Sequence, residues 1–149
     1  PDGKQQLAAA VVDGAGAGIE TRLRQFLDSG LPVTDIVDGW IDLMASGLSS
    51  DPRDGCPIEP VATESVNASP QVREASARAF GGWCLAVADR LRADGWEEHE
   101  AEQTALAVIA LVEGALILSR ISGNADALSA AKAAAHTLLS SASGAHVAS

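Results

Sequence analysis

From Thr104 to Ser119 the chain reads TALAVIALVEGALILS, apolar around the whole circumference of a helix except at Glu113 and the small Gly114. A helix with one wet face shows an apolar stripe, whereas a helix that is apolar all round has to be covered on every side. The spacing predicts this helix over about Glu97 to Ile121 as a central element, and in a chain of 149 residues part of its cover is expected from a second copy.

Helical spacing and end signals place five further helices. The first is expected from Gly3 to Leu27, with Asp2 as a cap and apolar positions at Leu7, Val11, Ala15, Ile19, Leu23 and Phe26. Gly14, Gly16 and Gly18 fall inside it, each costing about 1 kcal/mol relative to alanine, so this stretch is either soft or closely packed. Read as a phosphate loop, GAGAG lacks a preceding strand and the G-x-G-x-x-G spacing. The second helix follows Leu31-Pro32, capped by Thr34, with Ile36, Val37, Trp40, Leu43, Met44 and Leu48 on about one face. Ser49 to Pro57 is rich in Ser, Asp, Pro and Gly and reads as a mobile turn region, before a short helix from Ile58 to about Val66.

Ser69-Pro70 is a cap followed by a first-turn proline, and Val72, Ser76, Ala79, Phe80, Trp83, Val87 and Leu91 continue that helix until Gly95. Glu97, Glu98, Glu100 and Glu102 open the central helix, where acidic groups favour the positive N-terminus. Gly123 ends it and Asn124 caps the last helix, whose apolar edge is Leu128, Ala131, Ala135, Leu138 and Leu139. Alanine elsewhere on that helix permits close helix-on-helix packing, and Ser140 to Ser149 are expected to fray. No alternating run reads as a strand. The expectation is one all-α domain over residues 1–149, with a homodimer formed by the last two long helices.

Charge and reactive groups change this picture mainly by exclusion. A net charge of −10 repels phosphate backbones, and the few basic residues, with only Lys4 and Lys132 as lysines, are scattered. Cys56 and Cys84 show no metal or disulfide spacing, which fits a reducing cytoplasm. No uninterrupted apolar run reaches about 18 residues, so no membrane span is expected. His99, His136 and His146 form no triad or metal pattern, and Glu98, His99, Glu100 and Glu102 read as an acidic helix start. No catalysis, metal or cofactor is expected. Cys84, inside an apolar pattern, reads as an inert core thiol in preference to a redox sensor.

Binding is better supported. Phe26, Trp40, Met44, Phe80 and Trp83 lie on the apolar faces of three helices, in a chain with three tryptophans, two phenylalanines and no tyrosine. They could line a cavity or simply fill the core, and the residues alone favour core packing. Trp96, beside Gly95, reads as a cap on a helix junction. Glu113 needs a partner or a raised pKa. Arg120 is two turns away, so Arg73, Arg78 or a group of a partner subunit are equal candidates, and structural pairing is favoured over ligand recognition.

Several segments resemble a known family. PDGKQQLAAAVV is similar to the junction in TetR-type transcriptional regulators between the DNA-reading helix-turn-helix and the long connecting helix. GCPIEPVATE (Gly55 to Glu64), AFGGWCLAVADRL (Ala79 to Leu91), Asp94-Gly95 and EGALILSRISGNADAL (Glu113 to Leu128) resemble the LmrA/YxaF-like branch. The resemblance implies a C-terminal regulatory bundle that binds a hydrophobic small molecule and dimerises, in a repressor whose ligand releases DNA. It places the helix-turn-helix upstream of Pro1, so operator DNA is expected as a partner only through that segment. It also reverses the preference for core packing. The expected ligand-binding set is Phe26, Trp40, Met44, Phe80, Trp83, Cys84, Val87, Ile109 and Glu113. Leu106, Ala110, Leu116, Ile117, Arg120, Leu128, Ala131, Ala135 and Leu138 are expected at the dimer contact. The competing reading is a standalone helical binding or scaffold module with no DNA link.

Overall fold

Short-range chemistry sets most helix ends. A computed structural model describes residues 2–51, 55–65 and 67–141, which form α1 (Asp2–Leu27), α2 (Val33–Ser50), α3 (Glu59–Ser65), α4 (Pro70–Ala93), α5 (Glu98–Ser122) and α6 (Asp126–Ser141). The Ser69 hydroxyl accepts from the Val72 N–H at 3.3 Å while Pro70 opens α4, as the sequence signal requires. Glu97 caps α5, its carboxylate accepting from the N–H groups of His99 at 3.0 Å and Glu100 at 3.2 Å. At the other end Gly123 adopts φ 69°, a left-handed conformation that glycine takes without a Cβ penalty. Asn124 Oδ1 then accepts from the Asp126 N–H at 3.0 Å, satisfying a donor at the start of α6.

Two boundaries differ from expectation. Thr34 lies inside α2 and does not cap it: Pro32, with no side-chain cap bond, leads straight into Val33. The same helix continues through Ser49 and Ser50, because their hydroxyls bond back to the carbonyls of Ala45 at 2.9 Å and Ser46 at 3.0 Å within the helix. Of the expected turn and short helix, residues 52–54 and Val66 lie outside the described residues, as do residues 142–149 of the expected frayed end.

α1 packs along α4, α4 along α5, and α6 against both α5 and α2. Ile41, Ile58, Leu91 and Leu128 are fully enclosed in the shared core. The glycines of α1 turn out to differ. A Cβ on Gly16 would lie 2.5 Å from Ala79 Cβ, so this glycine lets α1 and α4 touch, whereas Gly14 and Gly18 have nothing within 4 Å. Trp83 Nε1–H donates to the Gly16 carbonyl at 3.0 Å across the same contact. At the end of α1 the Arg90 guanidinium of α4 donates to the Leu27 carbonyl and, at 2.6 Å, to that of Leu31. A basic group there satisfies carbonyls that the helix leaves open.

By length and composition alone α5 could cross a membrane. The bundle accounts for part of its apolar character, with Ala101, Ala105, Val108, Val112, Ala115 and Leu116 buried against its neighbours. Cover is not complete within one chain: Leu106, Leu118 and Ile121 are 55%, 59% and 79% exposed.

This geometry redistributes the residues expected at the dimer contact. Leu106, Ala110 and Leu138 face outward and Ile117 is half-buried. Leu128, Ala131 and Ala135 are instead at most 2% exposed, because α2 and α5 of the same chain close over the apolar edge of α6, and Leu116 of α5, 4% exposed, faces the interior. They have no surface left for a second copy. Arg120 turns toward Glu59 at 3.6 Å and is only partly accessible.

Candidate functional site

A cavity of about 560 Å³ lies where α1, α2, α4 and α5 meet the segment 55–57. α1 contributes Ile19, Leu23 and Phe26, α2 contributes Trp40, Leu43 and Met44, α4 contributes Trp83, and α5 contributes Ile109, Val112, Glu113 and Leu116. Helical spacing explains the α1 wall: residues 19, 23 and 26 are separated by four and three positions and fall on one face. Arg22, Ser46 and Ser50 also line the cavity and are exposed, giving it a polar mouth.

Of the nine residues expected to line a ligand site, Phe26, Trp40, Met44, Trp83, Ile109 and Glu113 converge on this space. Phe80, Cys84 and Val87 are not on its wall. Phe80 stands behind Trp83, edge to face with ring centroids 4.8 Å apart, and fixes the indole. Val87, 1% exposed one turn along α4, is core. Cys84 follows Trp83 directly, so the helix rotates it to a different side, where it is half-buried.

Trp40 has its own edge-to-face partner, Phe26, at 5.7 Å and 87°. Each indole is thus propped by a phenylalanine, and both present surface to the cavity. The sequence reading missed Ile19 and Leu23, although their spacing with Phe26 carried the signal. It placed Leu116 at the dimer contact, and it passed over Cys56 because its loop looked mobile.

The polar chemistry of the wall centres on Glu113 and Cys56. Glu113 Oε2 is buried with no hydrogen-bond partner. Burial pushes this carboxyl above its usual range and the nearby Glu59 charge adds to the effect, against the opposing hydrogen bond donated by the Cys56 thiol. Burial, reinforced by Glu113, holds the Cys56 thiol at about 12, so it is a neutral donor and a poor nucleophile. Two of the arginines considered for Glu113 are engaged elsewhere, Arg78 with Asp13 at 3.0 Å and Arg120 with Glu59 at 3.6 Å, and the third, Arg73, is exposed on α4. Among the described residues no cation forms an ion pair with Glu113.

Away from the cavity, the acidic start of α5 is a solvated helix end. Glu98, His99 and Glu100 are exposed, and Glu102 faces Arg92 at 3.8 Å.

Among the described residues, six helices, four of which wall an apolar cavity, with a long first helix laid along the fourth, form the all-α bundle. A family model described as the C-terminal domain of LmrA/YxaF-like transcriptional regulators matches residues 32–134, and the chain belongs to this family. It is 32% identical over 127 residues to the uncharacterized HTH-type transcriptional regulator Rv0196 of Mycobacterium tuberculosis, covering 81% of this chain and 63% of that protein. Similarity extends to two Bacillus subtilis regulators. YxaF is 27% identical over 120 residues (80% of this chain, 63% of YxaF), and LmrA is 25% identical over 129 residues (86% of this chain, 69% of LmrA). The chain thus spans 63% of the length of the mycobacterial and YxaF relatives.

Proposed function

We propose that this chain is the effector-binding and dimerising core of a transcriptional repressor, and that a hydrophobic small molecule in the cavity lowers the affinity of the whole protein for operator DNA. The observation that carries this reading is the cavity itself, an apolar space of about 560 Å³ walled on one side by α1. Ligand sites in proteins fall in this size range and are mostly apolar with a few placed polar groups. DNA reading belongs, in this proposal, to a segment outside residues 1–149, joined to the bundle through α1. A ligand that displaces Trp83 or Phe26 moves the helix that carries that segment.

Dimerisation through the outward face of α5 and α6 supplies the two-fold symmetry that a palindromic site demands. The exposed leucines of α5 and Leu138 of α6 support this arrangement. The test is a screen of hydrophobic compounds by tryptophan fluorescence, repeated on Trp83→Ala, followed by operator binding of the longer protein. Compounds that change the fluorescence should weaken operator binding by at least about tenfold, a typical allosteric coupling. Binders that leave DNA affinity unchanged would refute the regulatory role.

A further inference from the structure

The cavity has one deep polar feature, and it is incomplete. Glu113 Oε2 is shielded from solvent without a donor, although an acceptor left unmade in the interior is costly. Its carboxyl is held by the Cys56 thiol, a weak donor, and that single bond does not meet its capacity. A second carboxylate, Glu59, acts on it electrostatically, and the cation beside Glu59, Arg120, contacts Glu59 and not Glu113. Arg22, the other charged side chain on the cavity wall, sits at the exposed mouth with its guanidinium directed to the Gly18 carbonyl. The interior is therefore electronegative and the rest of the wall apolar, with aromatic surface from Phe26, Trp40 and Trp83.

Resting on the reading of this cavity as an effector site, we propose that its ligand is a lipophilic ammonium ion, an aryl-alkyl amine whose N–H donates to the Glu113 carboxylate, turned into the cavity to meet it, while its ring lies among Phe26, Trp40 and Trp83. An anion would meet the Glu113 carboxyl on the wall, with Glu59 acting on it from behind. A neutral donor satisfies Oε2 but leaves the charge unbalanced, whereas an ammonium group does both. A charge-assisted bond of this kind is about twice as strong as a neutral one. Aromatic faces add attraction for a cation that has shed its water.

The experiment is equilibrium dialysis of the protein at pH 7 against 2-(2-naphthyl)ethylamine, 2-(2-naphthyl)ethanol and 2-propylnaphthalene, which share a ring system and differ at the chain end. The amine is expected to bind about tenfold more tightly than the alcohol. Glu113→Gln is expected to remove that preference while still binding 2-propylnaphthalene, which reports an intact cavity. Alcohol binding as tight as amine binding, or a preference that survives Glu113→Gln, overturns the proposal. The wild-type series decides even if the variant fails to fold. If 2-propylnaphthalene binds and the amine does not, the ammonium proposal alone falls; if none of the three binds, the effector-site reading falls with it.

Discussion

A carboxyl oxygen that water cannot reach weakens the fold that holds it, and Glu113 Oε2 is in that position. Its folded-state pKa is raised by burial, so between the ordinary glutamate value of about 4.3 and the raised value the folded chain binds the proton more tightly than the unfolded chain. Stability therefore falls as pH rises through that window. Replacing the group by a hydrocarbon of similar size, Glu113→Leu, should stabilise the protein by about 1–3 kcal/mol at pH 7, in line with other buried charges exchanged for apolar side chains. The gain should shrink below about pH 4, where both states hold the proton. Urea unfolding at the two pH values measures it. An equal effect at both would show that packing, and not ionisation, is responsible. The same substitution should abolish any preference of the cavity for amines, separating what the group does for binding from what it does to stability.

At the level of elements, the contact between α1 and α4 is decided at one position. Gly16→Ala adds a methyl group 2.5 Å from Ala79 Cβ, and the two backbones must separate to admit it. The expected net loss is about 1–3 kcal/mol, the usual range for overpacking. Gly14→Ala and Gly18→Ala meet nothing within 4 Å and should each stabilise the protein by about 0.5–1 kcal/mol through helix propensity. Thermal unfolding of the three variants checks both signs, and destabilisation by all three would contradict the packing described.

These glycines also show where sequence reading stops. Periodicity gave α1 its extent and flagged GAGAG as soft or closely packed, but one residue out of three touches α4, and that depends on the crossing point of two helices. The ends at Ser69 and Gly123 were readable because these residues act on atoms within a few positions, whereas Glu97, expected inside the first turn, caps α5 instead and Thr34 lies inside α2. The aromatic side chains were likewise readable on their helix faces. Leu116, Leu128, Ala131 and Ala135 were not readable in this way, since an apolar face does not say whether its cover is the same chain or another. Cys56 was missed for a related reason: a turn rich in Pro and Gly hides a residue that tertiary packing buries.

For the whole molecule, the exposed face of α5 is the feature that most needs a second copy. Leu118→Glu puts a charge among the exposed apolar side chains of α5, which include Leu106 and Ile121, and it should convert a dimer into a monomer at micromolar concentration. Sedimentation velocity measures this, and a wild-type monomer would remove the dimer from the proposal. Residues 1–149 carry a net charge of −10 and should show no specific duplex binding even at low salt, where electrostatic attraction is greatest. A gel-shift assay showing tight, salt-sensitive binding by these residues alone would contradict the division of labour proposed above.

Trp83 connects the two ends of that division. One edge of its indole is cavity wall and the other, through Nε1, holds the backbone of α1 at Gly16. On the proposed reading, selectivity and responsiveness would therefore be written on a single side chain, and a change there should not retune one without disturbing the other. If the domain is re-engineered for a new compound, Met44 on α2 offers more freedom than Trp40, which packs on Phe26 of α1, because the wall there can be reshaped while both ties to α1 are left intact.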